Sequence, residues 1–120
     1  MRSERTAQRP DAGMVTAELA AALPVLMLLV TIGLGAVSVS SARVRAADAA
    51  REAARAAARG DPSHARQLAT AVAPGVEVAV SSVDGTVVAI ATLRLHPFGG
   101  RLPVITVSER AVAAAEPGLP

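Results

Sequence analysis

Hydropathy changes character several times along the chain. Residues 1–12 are polar, with Arg2, Arg5 and Arg9 set against Glu4 and Asp11, and nothing there can bury an apolar face. Disorder is expected over that stretch. Residues 19–42 then carry no charge at all. A run of that length forms a helix able to cross a hydrocarbon core of about 30 Å, which takes roughly 20 residues. Pro24 lies one turn into the run. Membrane helices tolerate proline near an end, where a missing N–H is least costly.

The helical pattern continues past the apolar run. The segment ARVRAADAAREAARAAARG, residues 42–60, is built mainly from Ala, Arg and Glu, all strong helix formers. Asp48 with Arg51, and Glu52 with Arg55, are spaced to pair on a helix surface for about 0.2–0.5 kcal/mol each. Gly60 supplies a C-terminal cap, and Asp61-Pro62 an N-cap followed by proline at the first helical position. One helix over residues 14–59 is therefore predicted, roughly 70 Å long at 1.5 Å per residue. Half would lie in lipid and half in water. The Ala-rich outer half is marginal alone in water, and its small apolar face is expected to pack on a neighbouring helix.

Beyond Gly60 the pattern shortens. PSHARQLATAVAPG reads as a second helix ending before Pro74. Two β-branched runs, VEVAVSSV and TVVAIATLRL, flank Asp84-Gly85, a hairpin signal. HPFGGRLP is a loop; VITVSERAVAAAE reads as a third strand or as a strand that turns helical, strand being favoured because residues 104–107 are β-branched; residues 117–120 are expected to fray. The predicted fold is α+β: a long N-terminal transmembrane helix extends into a soluble amphipathic helix, followed by a small antiparallel β-hairpin or sheet. Residues 1–13 form a polar N-terminal segment, 14–59 the long helix with its span at about 19–42, and 60–120 a small α+β region.

Composition narrows the chemistry. Phe98 is the only aromatic residue, and alanine and valine supply much of the apolar content, so any soluble core is thin. The chain lacks cysteine, which excludes disulfides, thiolate metal sites and thiol catalysis. All twelve basic residues are arginine and the formal charge is only +2. With no aromatic platform and no basic stripe, nucleic acid is not an expected partner. His64 and His96 have no ligand-spaced companions, so no metal is expected. Ser81, Ser82 and Asp84 are turn chemistry, and no nucleophile elbow or phosphate loop occurs. The expectation is a protein that is not an enzyme, with no cofactor and no small-molecule substrate. Residues Arg43 to Arg59 read as a solvated helix face, with anionic lipid contact near Arg43 and Arg45 and subunit contacts higher up as the alternative.

One residue does not fit a plain anchor. Glu18 stands at the lip of the apolar run, five positions after Gly13. A carboxylate costs about 2.5–3.5 kcal/mol at the centre of a membrane helix and less near its edge, so it needs a reason. The first helical turn offers partial compensation, because the macrodipole there favours negative charge.

The arrangement G-MVTA-E-LAAALPVLMLLV resembles the type III signal of type IV pilin-like proteins, in which a prepilin peptidase cuts after the glycine. Within that group VTAELAAALPVLMLLV, the later AAREAARAAARGD and the small β-rich end are similar to TadE-like minor pilins or pseudopilins of tight-adherence, Flp-type pili. Leu19 stands where many relatives carry Phe. The resemblance implies cutting between Gly13 and Met14, and a role for Glu18 in assembly register, paired with the new amine of Met14 in the same chain or a neighbour. Independently of the resemblance, the small residues of the run (Thr31, Gly33, Gly35, Ser38, Ser40 and Ser41) offer surfaces on which helices can approach closely, or are simply tolerated in a single span; Pro24, Gly33, Gly35, Ala36 and Ser40 are the candidates for packing in the membrane. The implied partners are the prepilin peptidase, other pilin-like subunits, the inner-membrane pilus assembly platform and membrane lipid. The implied location is the cytoplasmic membrane, single-pass, with the C-terminus outside.

Arginine counting points the other way, with three arginines before the span and five soon after it (Arg43, Arg45, Arg51, Arg55, Arg59). The processing motif requires a cytoplasmic leader and is given precedence. Two other readings remain: a secreted binding domain released by signal peptidase near Ala42, and an uncleaved single-pass accessory protein.

Overall fold

The computed structural model describes residues 11–118. It contains helix α1 (Asp11–Ala58), helix α2 (Pro62–Val72) and strands β1 (Glu77–Val83), β2 (Thr86–Leu95) and β3 (Ile105–Ala114). The α+β architecture is the expected one. Helix α1 begins earlier than predicted, with Asp11 in its first turn, where an acidic side chain complements the dipole. Of the stretch expected to be disordered, Asp11 and Ala12 are thus helical, and the rest lies outside the described residues.

The chain divides into two units, Met1–Leu34 and Gly35–Pro120. In the first, the described part of α1 is exposed on every side: Leu19, Leu23, Leu26, Leu28, Leu29 and Ile32 are all more than half accessible. A core helix of a soluble protein would hide these side chains. This is the one described helix long and apolar enough to cross a membrane. Thr31 donates its hydroxyl to the Met27 carbonyl at 2.8 Å, so its polarity is satisfied within the helix and needs no water.

In the second unit the remainder of α1, with α2, covers one face of an antiparallel sheet ordered β1-β2-β3. Strand β2 alternates cleanly. Val87, Ala89, Ala91 and Leu93 point into the core, while Ile90 and Arg94 face out. Among the described residues the buried hydrophobic side chains are thirteen alanines, two valines and one leucine. Ala42, Ala46, Ala49, Ala50 and Ala53 of α1 have no accessible surface, and they join Ala89, Ala91, Leu93 and Val107 of the sheet in one cluster. This corrects the expectation that the Ala face waits for a neighbouring helix: the chain's own sheet buries it. Methyl groups make up most of this core, so the apolar area each residue buries is small and the core is thin.

The helix ends are capped as their residues dictate. The Gly60 N–H donates to the Ala57 carbonyl at 2.9 Å and the Asp61 N–H to Ala56 at 3.4 Å, a Schellman closure. The Ala58 carbonyl is satisfied from far along the chain, by the Glu116 N–H at 3.0 Å. This bond ties the segment after β3 to the end of α1, while Pro117 and Gly118 have no regular structure. The last two residues of the expected frayed tail lie outside the described residues.

Asp61 caps α2, accepting from the His64 N–H at 2.9 Å and the Ser63 hydroxyl at 2.8 Å. These bonds, the first chief among them, hold its carboxyl below the ordinary value of 3.8. A lowered folded-state value stabilises the fold above the unfolded value and loses that contribution as pH falls through the folded one. The thermal midpoint is therefore expected to drop on acidification below about pH 3.8. Asp61→Asn should keep the cap and lose that part of the pH dependence, as thermal melts at several pH values would show.

The predicted hairpin forms at Asp84-Gly85, with Val83 paired to Thr86. Both turn residues have positive φ, 49° and 72°, the pattern of a type I′ turn whose twist matches that of the strands. A Cβ at position 85 meets no atom within 4 Å, so Gly85→Ala is penalised by backbone strain alone. The expected loss is about 1 kcal/mol, measurable by denaturant unfolding. The third strand runs to Ala114, well beyond the expected β-branched start, because all ten of its residues find partners on β2.

Candidate functional site

Gly13, Met14 and Glu18 lie in the first turns of α1. Met14 and Glu18 are four residues apart, on one face of the helix. Glu18 is exposed, the only ionisable side chain of α1 between Asp11 and Arg43. Gly13 has no positive φ, and a Cβ there meets nothing within 4 Å. Nothing in the described fold requires glycine at this position, although glycine costs a helix about 1 kcal/mol relative to alanine. The Gly13–Met14 bond is helical, so a protease would have to unwind this end to reach it.

The residues expected to serve membrane-helix packing divide into two groups. Pro24 is accommodated without interrupting α1. Gly33, Ala36 and Ser40 are exposed, and a Cβ on Gly33 meets open space. Gly35 differs. It is buried, and a Cβ there would fall 2.6 and 2.9 Å from Phe98 ring carbons. The chain's own β2–β3 loop covers this glycine, so it is not an open groove for another helix. Sequence reasoning missed the pairing. The signal was the chain's lone aromatic beside a Gly-Gly pair, with a glycine in a helix to receive it.

The outer half of α1 carries the expected ion pairs, Arg51–Asp48 at 3.1 Å and Arg55–Glu52 at 2.6 Å. Both involve exposed arginines, so each contributes only a few tenths of a kcal/mol. A shallow groove of about 440 Å³ lies between Val37, Ser38, Ser41 and Arg45 of α1 and Leu95, His96 and Pro97. Among the described residues no three His, Asp or Glu side chains gather as metal ligands. His64 contributes its backbone to the Asp61 cap, and Asp84 occupies the hairpin turn.

Comparison with known proteins bears on the same segment. Residues 13–55 match the TadE-like protein family, a stretch that opens on Gly13 and contains Glu18 and the whole apolar run. A protein of Mycobacterium tuberculosis (strain H37Rv) named as an apoptosis inhibitor is 41% identical over 101 residues, covering 84% of this chain and 78% of the relative. No solved structure is significantly similar. A glycine and an acid placed around the start of a membrane-length helix, a helix that goes on to carry a small sheet, and a family match over that helix lead to one assignment: the chain belongs to the TadE-like family, proteins related to tight-adherence pili.

Proposed function

We propose that the protein is a minor pilin or pseudopilin that supports assembly of a Flp-type pilus after a prepilin peptidase cuts between Gly13 and Met14. One observation carries the reading: an exposed carboxylate, Glu18, at the start of an otherwise uncharged span, five residues after a glycine that the fold does not need. Cleavage creates an α-ammonium at Met14. Pairing it with Glu18, in the same subunit or the next, offsets the cost of placing either charge at the edge of the hydrocarbon.

The role is structural. The apolar helix holds the subunit in the cytoplasmic membrane, with the leader inside and the sheet outside. During assembly it exchanges lipid for the helices of other subunits, and the exposed Gly33, Ala36 and Ser40 permit close approach. The assembly platform and other pilin-like subunits are the partners this requires. No catalytic role is proposed for any residue. The activity in the relative's name is not carried over, because no feature of the described residues points to a target of that kind.

Release near Ala42 is the less favoured alternative. Ala42 is fully buried, and Gly35 and Val39 pack against Phe98 and the core cluster. Cutting there would strip the folded unit of its own contacts. N-terminal sequencing of the protein from membranes of its native host decides between the readings. A start at Met14 is expected. A start at Arg43 would mean secretion, and a start at Met1 an uncleaved anchor; either overturns the proposal.

A further inference from the structure

The loop of residues 96–104, between β2 and β3, combines two properties that oppose each other in a soluble domain. It is ordered, with the Gly99 N–H donating to the His96 carbonyl at 3.1 Å and the Leu102 N–H to Gly99 at 3.3 Å. It also leaves its large apolar side chains in the open: Phe98 is 42% exposed, Leu102 51% and Val104 47%. The chain's single aromatic residue is thus held at the rim of the fold and not in the alanine core. Arg101 is exposed between Phe98 and Leu102, and Arg45 lines the groove beside His96.

The position of the loop along α1 says what covers it. Phe98 rests on Gly35. A span of about 20 residues counted from Leu19, the residue after Glu18, reaches Ser38, so Gly35 falls inside it. Counted instead from Val15, the same length ends at Leu34, the residue before Gly35. Either frame puts the residue under the Phe98 ring within about three residues, roughly 5 Å, of the end of the span, and a span running to Ala42 sets it deeper in the hydrocarbon. Lipid is therefore the medium that meets this loop, and an apolar tip flanked by arginine suits an interface of acyl chains below and phosphates above.

We propose that the 96–104 loop is a membrane-interface anchor: Phe98 and Leu102 enter the edge of the bilayer on the side of the folded unit, Arg101 and Arg45 meet lipid phosphates, and the unit is fixed against the membrane it is tethered to. This rests on the membrane-span reading of α1. It is independent of which side of the membrane the unit occupies. The loop gives the unit a second point of attachment, which must be released when the subunit is drawn out of the bilayer.

The absence of cysteine makes a direct test clean. Single cysteines replace Leu26 in the span, Leu102 in the loop, or Val83 beside the β1–β2 turn at the other end of the sheet. Each carries a nitroxide in the full-length chain, reconstituted in vesicles of phosphatidylethanolamine and phosphatidylglycerol. Leu102 and Val83 are both exposed, so neither substitution disturbs the core. Collision rates with oxygen, which concentrates in lipid, are compared with those of a water-soluble nickel chelate. The oxygen-to-nickel ratio at position 102 is expected to be several-fold above that at 83 and below that at 26. If 26 reads as lipid while 102 matches 83, the anchor is overturned and the span stands. If 102 is shielded from both reagents, a second copy or another subunit covers the loop, and the anchor is again overturned. An aqueous reading at 26 overturns span and anchor together.

Discussion

A Gly13→Ala chain expressed in its native host is expected to keep its leader, whereas a Glu18→Ala chain is expected to lose the leader and still fail in assembly. The two effects can be separated from stability because their signs oppose it. Alanine at position 13 meets no atom and replaces glycine in a helix, so the variant should be locally more helical by about 0.8–1.0 kcal/mol. Loss of cutting in a better-formed helix would then report recognition of the glycine. Glu18→Ala likewise removes a carboxylate that is costly at the membrane edge, so anchoring should improve. If pairing with the Met14 ammonium sets subunit register at 1.4 kcal/mol or more, piliation should fall on the order of tenfold. Intact mass of the membrane-extracted protein reads the first effect, and pilus yield from sheared cells the second. Normal cutting of Gly13→Ala, or full piliation with Glu18→Ala, would remove the basis for the assignment of these residues.

Ala53→Leu is expected to destabilise the α1–sheet unit by about 1–3 kcal/mol, and by more if the backbone cannot give way. Ala53 has no accessible surface and belongs to the cluster that joins α1 to β2. The added carbons would have to enter a site with no accessible surface, among the alanines of the cluster. Val44→Leu, on the exposed side of the same helix at 61% accessibility, should stay within about 0.5 kcal/mol of the parent chain. Denaturant unfolding followed by far-ultraviolet circular dichroism compares the two. Equal midpoints would mean that the Ala face is not packed as described.

Much of the architecture was legible because its signals are local. A charge-free run of membrane length needs no tertiary information, nor does a Gly-Asp-Pro stop and restart, and nor does Asp84-Gly85 between two β-branched runs. The ion pairs at Asp48–Arg51 and Glu52–Arg55 follow from helical spacing alone. The candidate site was legible for a similar reason: Gly13, Met14 and Glu18 are one short segment. The roles proposed for them in proteolysis and assembly rest on that spacing, and the family match over residues 13–55 covers the same segment.

Three features were decided elsewhere in the chain. The alanines of α1 read equally well as a face for a partner subunit, because periodicity reveals that a face is apolar and not what covers it. Gly35 read as a place for another helix to approach, and Phe98 takes it from within the same chain. The far half of β3 has alanine, arginine and glutamate with little strand preference, and it is a strand because β2 pairs with it to its last residue, Ala114 with Thr86. Sequence by itself determined the segments whose conformation is set by neighbours within a turn or two: the apolar helix, its acid, the caps and the hairpin. Only the tertiary structure decided which apolar surfaces meet and which stay open, because burial depends on what long-range pairing brings alongside.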